Sequence, residues 1–338
     1  MSSVEPRRSA GTAPRFARYL AASRADRAPG EWKEWCHVVV VGTTWLLLAN
    51  ISRRRSASGT AGGASVLIWT REGGCTGACW EGASRRIGPD GLATEGIQLA
   101  PTSSGFHLSI HAPRAQLRAE LELRFAAEPL VARGAPLGSG VFEWMALPVA
   151  AAHGWFRTGH GHVAVSGAPA YHDQNWGNWR WGEDLGWQWG YLAPIAGCTV
   201  VLSRMLDRRR LREADRRLLV WHGDTLVGDF QGPQVQIAAR GRYRGPPAPL
   251  FPPSLRLLDR GGDADVPGQI TVTARSGADA LSLDLAITGV AVLGVPDDTG
   301  LDVTLIQEAT CRASVRGELA GDPIAGETAG LYELVHGA

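Results

Sequence analysis

Lysine is nearly missing from this chain: Lys33 is the only one among 338 residues, and the other strongly basic side chains are all arginine. Catalysis through a Schiff base needs a lysine amine, so such chemistry has a single candidate position and is disfavoured. The formal net charge is only +1. Because nucleic acids and acidic polymers are attracted by strong positive fields, we expect neither class of partner.

Cysteine and histidine patterns also give little support for a metal or a disulfide framework. The five cysteines are odd in number and irregular in spacing, which argues against paired disulfides. Cys75 and Cys79 lie close together, but a zinc site needs about four ligands. His160 and His162 share one face of a strand and His172 follows them, yet the sequence does not bring a third ligand into place. We therefore expect no bound metal.

The sequence has no apolar stretch long enough to cross a membrane. Its most apolar run, Val38–Ala49, has twelve residues, whereas a membrane-spanning helix needs about 20. Gly42, Thr43 and Thr44 interrupt the run, which predicts two short strands joined at a turn. Residues 1–30 lack the apolar segment of a secretory signal. We expect a cytoplasmic protein that begins with a flexible arm over 1–29.

Motifs of several enzyme classes are missing as well. The sequence contains no G-x-S-x-G nucleophile elbow, no phosphate-binding loop and no H-E-x-x-H zinc motif. It also lacks a G-x-G-x-x-G segment that leads a βαβ unit. These absences disfavour serine hydrolases, nucleotide-dependent enzymes and metalloproteases.

What the chain does contain is many short apolar runs separated by turn residues, with 43 glycines and 20 prolines. Several runs alternate apolar and polar residues, for example Gln116–Phe125 and Ile270–Ala274, which is typical of half-buried antiparallel strands. Runs with convincing helical spacing are scarce. The pattern predicts an all-β protein built as antiparallel barrels or a sandwich.

An internal repeat divides these strands into two units. The segment that begins at Glu31 and the one that begins at Gly186 both start aromatic-rich, enter an apolar strand, turn at glycine and leave on a second apolar strand. The segments that begin at His153 and Ala309 lie at nearly the same offset, and each ends in an aromatic residue followed closely by an acid. We therefore predict two related β-domains, 30–178 and 179–338.

The stretch from Tyr171 to Tyr191, YHDQNWGNWRWGEDLGWQWGY, holds five of the thirteen tryptophans. If Asp173 is buried among these indoles, desolvation favours its neutral acid form, which can protonate a C=C bond or a carbonyl. Tyr171 shares its strand face, since strand side chains alternate. Indole faces stabilise positive charge by roughly 0.5–2 kcal/mol each. The alternative is that Asp173 only holds the turn between the domains and the indoles are packing.

The segment GAPAYHDQNWGNW, followed by WQWGYL, resembles the carotenoid 1,2-hydratase (hydroxyneurosporene synthase) family of lipocalin-like proteins. EWKEWCHVVVV is similar to the opening strand of that family, and GDPIAGETAGLYELV to its closing hairpin. Gln174 stands where the family signature has His, and the family's upstream His-x-Trp pair is matched only in its Trp, within Phe142-Glu143-Trp144. The resemblance implies two calycin-type antiparallel barrels or half-barrels packed side by side, without an organic cofactor.

By motif position the resemblance implies that Asp173 and Tyr171 form the acid machinery. The residues that we expect to contact the substrate surround them in the sequence. They are Trp176, Asn175, Trp144, Glu143, His172, Trp187 and Trp189, of which His172 faces the other side of the strand.

Three functions remain open at this point. The first is a cofactor-free hydratase-like enzyme that protonates a C=C bond of a hydrophobic polyene or isoprenoid, followed by addition of water or cyclisation. The second is a pericyclase or cyclase of polyketide or terpenoid biosynthesis, and the third is a non-catalytic carrier of a lipid or pigment. In each the partner is a hydrophobic small molecule, and peripheral contact with a membrane stays open because such molecules reside in lipid.

Overall fold

The computed structural model describes residues 32–337, apart from 57–58, 72–73, 83–85, 89–90, 138–139, 180–185, 208–212, 247–248, 254–264 and 297–302. The predicted N-terminal arm over 1–29 lies outside the described residues. Within them the regular structure is β-strand, with two short 3-10 turns at Pro113–Ala115 and Gly232–Gln234 and no α-helix. No helix in these described ranges is long and apolar enough to cross a membrane.

Over the described residues, the first sheet has twelve strands. They are β1 (Trp32–Val41), β2 (Trp45–Ser56), β3 (Gly59–Thr70), β4 (Gly74–Gly82), β5 (Arg86–Gly88), β6 (Gly91–Ala93), β7 (Ile97–Pro101), β8 (Gly105–Ala112), β9 (Leu117–Phe125), β10 (Leu130–Leu137), β11 (Gly140–Thr158) and β12 (Gly161–Gly177). The Val38–Ala49 run is divided between β1 and β2, as predicted.

The second sheet has ten strands in the part of the chain that the structure describes. They are β13 (Gly186–Ile195), β14 (Cys198–Leu206), β15 (Glu213–His222), β16 (Thr225–Gln231), β17 (Val235–Arg240), β18 (Leu250–Phe251), β19 (Gln269–Ser276), β20 (Asp279–Pro296), β21 (Val303–Leu319) and β22 (Asp322–Gly337).

The two sheets have the same strand order around their first strand. In the first, β3, β2, β1, β12 and β11 are consecutive neighbours; in the second, β15, β14, β13, β22 and β21 are. Each sheet thus pairs its first strand with its last in antiparallel register. The predicted all-β architecture of two antiparallel half-barrels is confirmed, and the sequence repeat coincides with equivalent strands.

Three buried clusters form the core. One lies within the first sheet and includes Val38 and Phe106; another lies within the second and includes Val200 and Tyr332. The third draws residues from both sheets, among them Val39. Because successive strand residues point to opposite faces, β1 sends Val38 into its own half-barrel and Val39 into the space between the sheets. We call this shared space the interface core.

Candidate active site

Strand β12 carries the signature residues, and its alternation sorts them onto two faces. Tyr171 packs in the interface core, and Asp173 and Asn175 lie on the same face by strand period. Trp176 packs in the core of the first half-barrel instead, on the face shared by His172. All five are buried. The structure therefore brings Tyr171 and Asp173 together between the two sheets.

Asp173 accepts hydrogen bonds from three side chains. The Tyr171 hydroxyl lies 2.8 Å from its Oδ2, and the Trp144 indole Nε1 lies 3.0 Å from the same oxygen. His37 Nδ1 lies 2.9 Å from Oδ1. Asp173 is 2% exposed, so these donors replace the water that the carboxyl group would otherwise bind. Burial, then the Asp173 carboxylate, raises the pKa of Tyr171 well above its ordinary value, which keeps its hydroxyl protonated.

His37 connects Asp173 to a second acid across the interface. Its Nε2 lies 2.6 Å from Trp35 Nε1 and 3.2 Å from Glu333 Oε2. A neutral ring with its proton on Nδ1 accepts from the indole, whereas a doubly protonated ring donates to Glu333. Trp35 thus suits the neutral imidazole, and Glu333 suits the doubly protonated imidazole. Burial alone would lower the pKa of His37, but Asp173 and Glu333 together raise it well above its ordinary value.

Glu333 belongs to a pair of buried acids in the second sheet. Glu308 on β21 is directly opposite Glu333 on β22, and both are no more than 1% exposed. The Trp187 indole donates to Glu333, while Asn50 Nδ2 in the first sheet donates to Glu308 Oε1 at 3.4 Å. Each carboxyl group therefore has at least one directed donor.

Together with His37, the acids Glu308 and Glu333 could hold a metal ion. One ligand atom from each of His37, Glu308 and Glu333 lies within 4.8 Å of the others, a spacing that suits a divalent cation or two carboxyl groups that share a proton. Burial and the neighbouring Glu333 raise the pKa of Glu308 well above its ordinary value, which favours the shared proton. The histidines considered from sequence do not converge: His160 and His162 are exposed, whereas His172 is fully buried.

An indole wall surrounds the acid. A small pocket of about 20 Å³ is bounded by Asp173, Asn175, Trp144, Trp187 and Trp189, with His37 and Glu333. The Trp189 ring stacks on His37 with 5.9 Å between centroids and 7° between planes. Four of the predicted substrate contacts therefore lie beside Asp173: Asn175, Trp144, Trp187 and Trp189. Their contact with a substrate stays a prediction.

The other predicted contacts lie on the opposite face of the strands. Trp176 Nε1 donates to Glu143 Oε2 at 2.7 Å. The His172 ring lies 5.0 Å from the Phe106 ring in the first half-barrel, and burial lowers the pKa of His172 to about 4, so this ring is neutral. A substrate between the sheets would not touch these three side chains. Of the remaining indoles, Trp179 is buried in the interface core, and Trp181 lies outside the described residues.

A second, larger cavity of about 310 Å³ lies next to this site. Trp35 lines it and also contacts His37, so the indole separates the cavity from the imidazole. Its walls come from both sheets, with Ser52 and Ser65 on one side and Phe251 and Leu293 on the other. This volume is at the lower end of the roughly 300–1,000 Å³ that small-molecule sites occupy.

The sequence patterns missed three residues of the site, namely His37, Glu308 and Glu333. Each is the single His or Glu of a largely apolar strand run: WCHVVVV, TLIQEAT and LYELV. Such residues are rarely buried without a partner, so their positions were a usable signal. For Glu333 the repeat gave a second signal, since Tyr332-Glu333 follows the same pattern as Tyr171 and Asp173.

No protein-family model and no curated protein matches the sequence, but several solved structures share its fold. A candidate AttH protein from Nitrosomonas europaea is 13% identical, with a TM-score of 0.66 over 99% of this chain and 98% of that chain. Kievitone hydratase from Nectria haematococca is 15% identical, with a TM-score of 0.61 over 91% and 89%. CghA, in a structure with Sch210972, is 14% identical, with a TM-score of 0.61 over 91% and 89%. At these identities the likeness establishes the fold.

Proposed function

We propose that this protein is a cofactor-free enzyme of the hydratase or cyclase kind, acting on a C=C bond of a hydrophobic polyene or isoprenoid. The observation that carries the proposal is the buried Asp173 carboxyl group, held by Tyr171, Trp144 and His37 inside an indole wall. The shared fold with a named hydratase, kievitone hydratase, is consistent with it. A carotenoid is one substrate within this class.

The proton for the reaction comes from His37. In the doubly protonated ring, the proton on Nδ1 moves along the existing hydrogen bond to Asp173 Oδ1, which lies 2.9 Å from Nδ1. This transfer leaves a neutral imidazole and converts Asp173 into a carboxylic acid. Asp173 then gives this proton to one carbon of the double bond, whose π electrons form the new C–H bond. The neighbouring carbon becomes a carbocation, and Asp173 is again a carboxylate.

The reaction ends when a nucleophile reaches the cation. In hydration, water forms the C–O bond and returns one proton to the Asp173–His37 pair, so the enzyme is restored. In cyclisation, a second double bond of the substrate forms a C–C bond, and loss of a proton from the resulting cation restores the pair. The faces of Trp144, Trp187 and Trp189 stabilise the positive charge, and the 20 Å³ pocket is large enough for one water.

Deuterium incorporation tests this proposal. The purified protein is incubated in deuterated water with acyclic polyenes, namely geranylgeraniol, squalene and neurosporene, and the products are analysed by mass spectrometry. We expect a product with carbon-bound deuterium and a loss of turnover of about 100-fold or more in Asp173→Asn. Asp284→Asn is the matched control, because Asp284 is an exposed carboxylate bonded to the Thr271 hydroxyl on β19. Wild-type turnover by a folded Asp173→Asn variant would rule out the mechanism.

Pericyclic ring closure is the second candidate, and one observation favours it. Asp173 is not among the residues that line the 310 Å³ cavity, whereas Trp35 and Asn50 are. A substrate folded there meets mainly apolar walls together with hydrogen-bond donors, which accelerate a cycloaddition by orientation and by polarising a carbonyl. Such a reaction leaves no deuterium in the product and tolerates Asp173→Asn. Unchanged return of every probe would instead favour a carrier.

A further inference from the structure

The 310 Å³ cavity combines apolar walls with a small number of polar side chains. Its apolar residues come from both sheets, among them Trp35, Phe251 and Leu293. Its charged residues each interact with other groups of the protein. They are Lys33, Glu34, Arg53 and Arg54. The charges of this wall therefore do not call for a charged ligand.

Asn50 differs from these charged residues in having an unpaired polar atom. It lines the cavity and is 1% exposed. Its Nδ2 donates to Glu308 Oε1 at 3.4 Å, whereas its Oδ1 has no hydrogen-bond partner in the described part of the chain. An amide oxygen that is buried without a donor is costly, and most buried polar groups have a partner. Asn50 therefore calls for a hydrogen-bond donor at the wall of this cavity.

The strand register places a hydroxyl group beside Asn50. Asn50 on β2 is directly opposite Ser65 on β3, so both side chains leave the same face of the sheet. Ser65 lines the cavity as well. A serine hydroxyl donates one hydrogen bond and also accepts. An amide acceptor next to a hydroxyl complements a ligand hydroxyl, because that group donates to the first and accepts from the second.

The same register joins this polar pair to the acid. Asn50 is directly opposite His37 on β1, and His37 is directly opposite Asp173 on β12. Neighbouring strands are about 4.8 Å apart, so Asn50 lies two strand spacings, roughly 10 Å, from Asp173. A ligand group that binds at Asn50 is therefore held in the same row of side chains as the acid.

We propose that this cavity binds the alcohol end of a polyene or isoprenoid. The ligand hydroxyl donates to Asn50 Oδ1 and accepts from Ser65 Oγ, while the apolar chain lies between Trp35 and Phe251. An aldehyde, ketone or ether oxygen only accepts, so it would leave Asn50 Oδ1 unpaired, and a site built for a hydroxyl rejects such an analogue. The inference rests on the proposed function for the apolar chain and adds that the substrate is an alcohol.

Three probes with one polyene chain and different terminal oxygens test the proposal. We would titrate the wild-type protein with all-trans-retinol, its methyl ether and retinal, and follow the quenching of tryptophan fluorescence, because Trp35 and Trp179 line the cavity. Chromatography checks that each probe is recovered. Retinol should bind at least about fivefold more tightly than the other two. Equal affinities would overturn the proposal. Tighter binding of retinal would overturn it too, since Asn50 would then offer its amide N–H to the cavity.

Two substitutions locate the hydroxyl. In Asn50→Leu the three affinities should converge. Ser65→Ala removes fewer atoms and keeps the amide, and it should lower the affinity for retinol at least about twofold. Ser109→Ala is the matched control, because Ser109 donates to Glu120 at 3.2 Å and is not among the residues that line the cavity. A preference for retinol that survives Asn50→Leu would overturn the proposal; if Asn50→Leu does not fold, Ser65→Ala decides in the same way.

The two proposals fail separately. Binding that is selective for retinol without deuterium incorporation would refute the protonation mechanism and leave the hydroxyl site standing. Turnover of squalene or neurosporene, which have no hydroxyl group, without selectivity for retinol would do the reverse.

Discussion

His37 on β1 and Asp173 on β12 are directly opposite each other in the antiparallel register, and their Nδ1 and Oδ1 atoms are 2.9 Å apart. The pair is therefore fixed by the backbone as well as by the hydrogen bond. Glu333 approaches the same ring from the second sheet, so a buried imidazole lies between two acids. This arrangement makes both the stability and the chemistry of the site dependent on pH.

We expect the charge of His37 to stabilise the fold in a defined pH window. Asp173 and Glu333 raise its pKa in the folded protein, against about 6.5 in an unfolded chain. The contribution is fully present below about pH 6.5 and is lost as the pH rises through the folded pKa. The difference in free energy of unfolding between wild type and His37→Gln should therefore shrink from pH 6 to pH 9, as measured by urea denaturation.

Four titratable groups interact electrostatically with His37: Asp173, Glu333, Glu308 and His172. Removing the charge of one of them provides the control for that experiment. In an Asp173→Asn background the same His37→Gln difference should vary less with pH, because one of the two acids is gone. An unchanged pH dependence in that background would show that Asp173 does not set the protonation of His37.

Glu308→Gln should make the protein more stable relative to wild type as the pH rises. Burial and Glu333 raise the pKa of Glu308 above the roughly 4.3 of an unfolded chain, so wild type loses stability as the pH rises from about 4.3 through the folded pKa. A glutamine keeps an oxygen for Asn50 and cannot ionise. Thermal unfolding of both proteins between pH 5 and pH 8 measures the effect, and parallel curves would contradict it.

Tyr171→Phe should distinguish the contribution of the hydroxyl from that of the ring. The ring stays packed against Trp189 and Tyr191, while Asp173 loses one donor, at a cost of about 1.5–3 kcal/mol. We expect a lower free energy of unfolding and reduced turnover with the fold intact. Tyr191→Phe is the matched control, because Tyr191 contacts the Tyr171 ring rather than Asp173. Equal effects of the two variants would mean that the Tyr171 hydroxyl has no special role.

Gly330→Ala should disturb the strand pair that carries Glu333. A Cβ at Gly330 would lie 2.1 Å from the Tyr191 carbonyl oxygen on β13, and backbone at that distance has to move. Overpacking of this kind costs about 1–3 kcal/mol or more. Gly190→Ala in the same strand pair is the control, because its added Cβ would first meet the Tyr332 ring at 3.2 Å. Chemical denaturation should show the larger loss for Gly330→Ala; a larger loss for Gly190→Ala would contradict the register.

The fold could be predicted because strand alternation, turn residues and an internal repeat can all be read directly from the sequence. Alternation in Ile270–Ala274 and the turn after Val41 depend on a few neighbouring residues, and the repeat marks equivalent strands. Strand period alone also placed Tyr171 and Asp173 on one face and His172 on the other, as the structure shows.

The partners of Asp173 could not be predicted in the same way. His37 reaches it through a register between the first and last strands of the sheet, and Glu333 reaches His37 only because two sheets pack together. The sequence motif also could not tell which indoles share the face of Asp173. Trp176, nearest to it in sequence, lies on the other face. Trp144 comes instead from the neighbouring strand β11, and Trp189 from β13 in the second sheet.

The join between β1 and β12, and its counterpart between β13 and β22, has a consequence for biosynthesis. His37 is translated before Glu333, and the remaining strands of the first half-barrel and most strands of the second lie between them. Because Glu333 lies on β22, we expect the network that joins His37 to both acids to form only after β22 has been translated.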